Sequence, residues 1–244
     1  MALSLSVRDL DAGYGAVKAL RGVSLDVAAG ETVALLGTNG NGKSTLMKCI
    51  MGLVRPWRGS ISLTIDGEAH DLAELPTETI VDLGVALVPE GRRLFPRLTV
   101  AENLMLGAFR PAARGDIARN LALAFETFPV LKERSNQLAG TMSGGQQQML
   151  AIARALMSSP KLLLIDEPSV GLSPLLVSQM ISKIGELSQR FGLTVLMAEQ
   201  NFNQAVRIAD RGYIIVHGEI VVAAPVDQLH GNDIVKRLYL GGSV

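Results

Sequence analysis

Polar and apolar positions along the chain follow two periods. "LSLSVRDL" (3–10) and "VSLDV" (23–27) alternate every second residue, which predicts strands with one buried face. "ETVALLG" (31–37) is a nearly continuous apolar run ending in glycine, and a helix is expected after it over "KSTLMKCIMGL" (43–53). "GSISLTIDGE" (59–68) reads as a strand leaving through the turn Asp66-Gly67, and "VALVP" (85–89) as a short strand halted by Pro89. From about Thr99 to Met157 the period is helical, in "TVAENLMLGAF", "DIARNLALAFETF" and "GQQQMLAIARALM". Strands return as "KLLLID", "LTVLMAE", "RGYIIVHG" and "EIVVAA", with helical stretches separating the first three. The pattern predicts an α/β core surrounding a helical insert, without internal repeat or low-complexity segment.

Composition adds limits. The 244 residues suffice for one large domain or two small ones, and 48% apolar content supports a sizeable core. Basic and acidic residues balance at 23 each, so the basic surplus of a nucleic-acid binder is missing and no nucleic-acid partner is expected. Cys49 is the only cysteine, which excludes a disulfide within the chain or a cysteine-based metal site and fits a reducing compartment. The N-terminus alternates like a strand and does not read as a signal peptide. No apolar run approaches the ~18–20 residues needed to span a bilayer.

"GTNGNGKST" (37–45) fits a glycine-rich phosphate loop between a predicted strand and a predicted helix. Gly37, Gly40 and Gly42, with Thr38, Asn39 and Asn41 between them, let the backbone curl so that several N–H groups face one anion. The helix N-terminus adds partial positive charge. Lys43 reaches the β- and γ-phosphates, the Ser44 hydroxyl ligates Mg²⁺, and Thr45 follows. "LLLIDEP" places Asp166 and Glu167 at the C-terminal end of an apolar strand, the edge where open α/β sheets bind ligands. Asp166 suits Mg²⁺, and Glu167 is placed to orient or deprotonate a water for in-line attack. In "MSGGQQQ", Ser143 is a good N-cap, and Gly144 and Gly145 expose N–H groups beside Gln146. One site does not need two anion-binding helix ends, so the second is read as serving another copy of the chain.

These motifs, in this order, resemble the ATP-binding subunits of ABC transporters over essentially the whole chain. The resemblance implies one ABC ATPase domain over 1–244: a P-loop NTPase (RecA-like) α/β core at about 1–90 and 158–244, carrying an N-terminal antiparallel β subdomain and an inserted helical subdomain at about 91–157. It implies ATP and Mg²⁺ as cofactors, with two ATPase subunits, paralogous or identical, closing head-to-tail around two ATP molecules. Ser143 and Gly145 would contact the γ-phosphate across that interface, and Tyr14 in "AGYGA" would stack on adenine, worth roughly 1–3 kcal/mol. The partners implied are membrane-spanning permease subunits, which would hold the chain at the cytoplasmic face of the inner (plasma) membrane.

The chain departs from the family pattern at several positions. Met142 replaces the usual leucine of the signature, and "SVGLSP" (169–174) lacks the aspartate many D-loops carry. Glu90 in "VPEG" replaces the Q-loop glutamine; its carboxylate is a harder Mg²⁺ ligand and repels a metal-free triphosphate by up to about 4 kcal/mol at 4 Å and an effective dielectric near 20. Gln200 in "MAEQN" stands where the family has a γ-phosphate-contacting histidine; its amide donates a hydrogen bond but does not titrate. The resemblance thus implies a catalytic set of Glu167, Gln200 and Glu90 and a metal set of Ser44, Glu90 and Asp166. Glu90 with "GRR" and "EQN" together resemble the LivF-type ATPases of branched-chain (hydrophobic) amino acid uptake systems, with importers for urea and short amides as the alternative cargo class. A weakly hydrolysing regulatory ATPase and a soluble ABC-type ATPase are the non-transport alternatives. Arg92, Arg93 and Phe95 lie where the resemblance places a short coupling helix of the permease; a solvated basic loop is the plainer reading.

Overall fold

The computed structural model describes residues 3–239. Strands β1 (Leu3–Tyr14), β2 (Val17–Val27), β3 (Thr32–Leu36), helix α1 (Lys43–Ile50), strands β4 (Arg58–Ile65) and β5 (Glu68–Asp71), helix α2 (Thr77–Asp82) and strand β6 (Val85–Val88) come first. Five α-helices follow, α3 (Val100–Gly107), α4 (Pro111–Arg114), α5 (Ile117–Thr127), α6 (Pro129–Glu133) and α7 (Gly144–Leu156), with a single 3-10 turn (Ala139–Thr141) before the last. The chain returns through β7 (Leu162–Asp166), α8 (Pro174–Phe191), β8 (Thr194–Glu199), α9 (Phe202–Ala205), β9 (Arg211–Val216), β10 (Glu219–Pro225), α10 (Val226–Leu229) and α11 (Asp233–Tyr239).

The strands form two sheets. One, in the order β2-β1-β4-β5, is antiparallel; the other runs β10-β9-β3-β8-β7-β6, parallel except for β10. Strands β3 and β7 are buried along their whole length, as expected of parallel strands covered on both faces. Alternation then sorts their side chains. Val33, Leu35, Leu162 and Leu164 join a core with Leu46, Met47, Cys49 and Ile50 of α1 and the apolar face of the antiparallel sheet. Ala34, Leu36, Leu163 and Ile165 face the opposite way, into a second core with α7 and α8. Helix α1 is thus clamped between the sheets, which fixes the loop that precedes it.

Four expectations change at their edges. Strand β1 runs on to Tyr14 and β2 begins at Val17, because their pairing continues through register shifts that interrupt the alternation. Helix α1 stops at Ile50, with Gly52 left-handed just beyond (φ 68°). The polar segment Glu68–Asp71 is a strand because the Asp66-Gly67 turn, with both φ positive, folds it back onto β4. The helical stretch is broken into short pieces by Pro111 and Pro129, each at the start of a helix.

Candidate functional site

The loop after β3 is built around positions that need glycine. Gly42 has φ 98°, and a Cβ there would meet Ala19 O at 2.7 Å; a Cβ at Gly37 would meet Ile215 O at 2.6 Å. Asn41 braces the loop from inside: its Nδ2 donates to Thr38 Oγ1 (2.8 Å) and its Oδ1 accepts from His217 N (2.8 Å) at the β9–β10 turn. Thr38, Asn39 and Gly40 are exposed along its rim, while Thr45 is buried in the first turn of α1. Lys43 is buried, and its Nζ donates to Gly37 O (2.7 Å) and Thr38 O (3.1 Å) and pairs with Glu167 Oε1 at 2.9 Å.

Strand β7 delivers the acidic end. Ser44 Oγ donates to Asp166 Oδ1 at 3.1 Å. Burial, together with the charges of Glu167 and Glu90, pushes the Asp166 carboxyl above its ordinary range against the opposing pull of the Ser44 hydrogen bond and Lys43. Glu90 comes close because β6 lies beside β7 in parallel, with Val88 opposite Ile165, so both strands end at the same edge. Glu167 turns back toward Lys43 through a left-handed backbone (φ 50°), a strained conformation for a residue with a side chain. Among the described residues, no group of three or more His, Cys, Asp or Glu is arranged to hold a metal by itself.

Tyr14 stands at the β1–β2 hairpin, half exposed, with Lys48 Nζ of α1 at 5.8 Å from its ring centroid. The ring therefore lies beside α1, the helix that follows the glycine-rich loop.

The signature forms a second helix start. Ser143 and Gln146 make a reciprocal capping box, Ser143 N to Gln146 Oε1 at 3.1 Å and Gln146 N to Ser143 Oγ at 3.4 Å. The Gln146 amide is thus engaged with the helix cap. Gly145 is buried, and a Cβ there would meet Leu176 Cδ1 at 2.8 Å. Met142 is buried in the core with α7, so its thioether fills the position usually held by leucine. No hydrogen bond or ion pair among the described residues joins 143–146 to 37–45.

Gln200 is exposed at the end of β8, and its N–H donates to Glu199 Oε2 at 3.0 Å. Glu199 is a site residue that the sequence reading passed over. It is fully buried, and its carboxylate also accepts from Ser169 N (3.1 Å), Ser169 Oγ (2.9 Å) and Asn201 N (3.2 Å). Burial raises its pKa, and these four hydrogen bonds pull against the rise. One carboxylate thereby ties the segment after Glu167 to the segment carrying Gln200. The available signal was the same as for Asp166, an acid closing an apolar strand of a parallel sheet.

Residues 20–170 match the family model described as ABC transporter. The chain belongs to the ABC transporter family. It is 48% identical, over 98% of its own length and 100% of the relative's, to a high-affinity branched-chain amino acid transport ATP-binding protein, BraG, of Pseudomonas aeruginosa. Its fold matches a nucleotide-free ATP-binding cassette from an ABC transporter with TM-score 0.83 at 25% identity, covering 99% of this chain and 100% of that one. A bacterial ABC transporter cassette solved as a dimer matches with TM-score 0.76 at 26% identity over 91% of this chain and 98% of that one. The chain is an ABC-type ATPase with the P-loop NTPase fold, and no helix among the described residues is long and apolar enough to cross a membrane.

Proposed function

We propose that this chain is the ATP-hydrolysing subunit of an importer for branched-chain or other hydrophobic amino acids, working at the cytoplasmic face of the membrane under its permease subunits. The observation that carries the reading is full-length 48% identity to a branched-chain amino acid transport ATP-binding protein, in a chain whose phosphate-loop lysine and strand-end carboxylates converge. Deleting the gene and measuring uptake of labelled leucine tests it. Uptake is expected to fall to background and to return with the wild-type chain; undiminished uptake refutes the cargo.

Lys43 is held by loop carbonyls and Glu167, groups that a β/γ-phosphate replaces as partners. Freed from Lys43, Glu167 is positioned to take a proton from an attacking water. Gln200 offers an amide donor toward the γ-phosphate, and Tyr14 a stacking face for the base. The site fits Mg²⁺: a serine hydroxyl and a carboxylate already share a hydrogen bond, two more carboxylates press on them, and no self-contained cage exists. Mg²⁺ typically takes one or two such carboxylates and completes its shell with water and substrate phosphate oxygens. Ser44 and Asp166 would hold it, with Glu90 nearby, and it would offset phosphate charge. Glu90→Gln is accordingly expected to flatten the Mg²⁺ dependence of ATP affinity. Coincident Mg²⁺ titration curves for the two proteins would remove Glu90 from the metal's surroundings.

Residues 91–157 serve in this reading as the helical subdomain, and the head-to-tail pair supplies each site with the partner's Ser143, Gly144 and Gly145. A groove of about 480 Å³ between core and helices is lined by Arg93, Phe95, Leu106, Phe109 and Arg154, with Phe95 and Phe109 more than half exposed. It suits an apolar, acid-bearing helix of the permease. Arg92, grouped with Arg93 in the sequence, points elsewhere, toward α7. Arg93→Glu with Phe95→Ala should sharply reduce co-purification with the permease while ATP binding stays intact; unchanged recovery of the complex rules out this groove.

A further inference from the structure

We infer that Arg92 adds a positive charge to the signature helix end and so helps hold the γ-phosphate of the ATP carried by the opposite subunit. The inference rests on the head-to-tail reading above. Gly91, Arg92 and Arg93 are consecutively left-handed, with φ 75°, 65° and 48°, a conformation costly for the two arginines. It is held by one contact from α7, Arg154 donating to Arg92 O at 3.1 Å, and by one within the turn, Arg92 N donating to Pro89 O at 3.3 Å. The turn carries the guanidinium across the first turn of α7. There Nη1 donates to Gln147 Oε1 at 3.2 Å, and Nη2 lies 3.2 Å from where a Cβ of Gly144 would stand and 3.6 Å from where one of Gly171 would stand.

Three features separate this from an ordinary surface arginine. No carboxylate pairs with Arg92 among the described residues; its guanidinium donates to a neutral amide. It stands at the N-terminal end of a 13-residue helix, where a cation opposes the helix dipole and is unfavourable until an anion arrives. It also spans the two segments, signature and D-loop, that the pairing directs at the opposite nucleotide. A Cβ at Gly144 would stand 3.2–3.5 Å from the guanidinium and nudge it by a few tenths of an ångström. Strain plus an uncompensated cation at an anion-binding helix end is the arrangement expected of a charge kept for a ligand.

The test is ATP-driven self-association of the full chain carrying Glu167→Gln, followed by sedimentation with Mg²⁺-ATP. Arg92→Lys keeps the charge, and Arg92→Gln keeps a hydrogen-bond donor for Gln147. Arg92→Lys is expected to associate within about 3-fold of its parent, and Arg92→Gln at least ~10-fold more weakly, about 1.4 kcal/mol. ATP binding to single chains at dilute concentration should be alike in all three, which also reports folding. Equal association of the Lys and Gln variants would show Arg92 to be only a tether and overturn the inference. A Glu167→Gln parent that stays monomeric with ATP overturns the self-pairing reading, and this inference with it.

Discussion

Glu167→Gln is expected to bind ATP as the parent does and to hydrolyse it at least ~100-fold more slowly, the range for loss of a positioned general base. The substitution is isosteric, so the new amide oxygen still accepts from Lys43, whose Nζ keeps Gly37 O and Thr38 O as well. The fold and the phosphate loop therefore survive. What disappears is the carboxylate that the left-handed backbone at the end of β7 turns toward Lys43. Gln200, an amide, has no titrating group to substitute for it. The pH–rate profile of the wild-type chain should for the same reason show no histidine limb near pH 6–7. Single-turnover hydrolysis and nucleotide retention on a desalting column measure both halves, and near-normal turnover by the variant would falsify the assignment.

Lys43→Met should have the other large effect, in two independent observables. ATP affinity should fall at least ~100-fold, since the charge-assisted bonds to phosphate vanish. The nucleotide-free chain should also lose stability, by about 3–5 kcal/mol, because Glu167 remains buried without its cation. The double variant Lys43→Met with Glu167→Gln should recover most of that stability while still failing to bind ATP. Urea unfolding of the four proteins of this cycle gives the coupling directly. A double variant no more stable than Lys43→Met would mean that the pair contributes little in the free chain.

The phosphate loop, the strand-end acids and the signature were legible because each is local. Glycine spacing, a short apolar strand and a helix start each occupy a few consecutive residues, so each pattern is read without the rest of the chain, although the loop's close approaches to Ala19 and Ile215 come from the fold. The apolar runs of β3, β7 and β8 were legible for a related reason: a strand covered on both faces has no polar side to interrupt it. Strand β5 was not, since "EAHD" has no apolar period and is a strand only by pairing with β4. Helix α2, six residues with one buried side chain, has too short a pattern to register.

The sequence by itself therefore determined the family, the α/β architecture, the glycine-rich loop between β3 and α1 and the acids that end β7. Tertiary structure decided who meets whom. Lys43 and Glu167 lie far apart in the chain and pair because β3 and β7 end at one sheet edge, two strands apart. Glu199 looked like the last residue of a strand and is the buried tie between the segments carrying Ser169 and Gln200. Arg92 and Arg93 looked like one basic pair; consecutive left-handed residues send them apart, one to the signature helix and one to the groove. Side-chain type and local period are written along the chain, whereas a buried charge's partner depends on strand order and backbone hand, which no short stretch encodes.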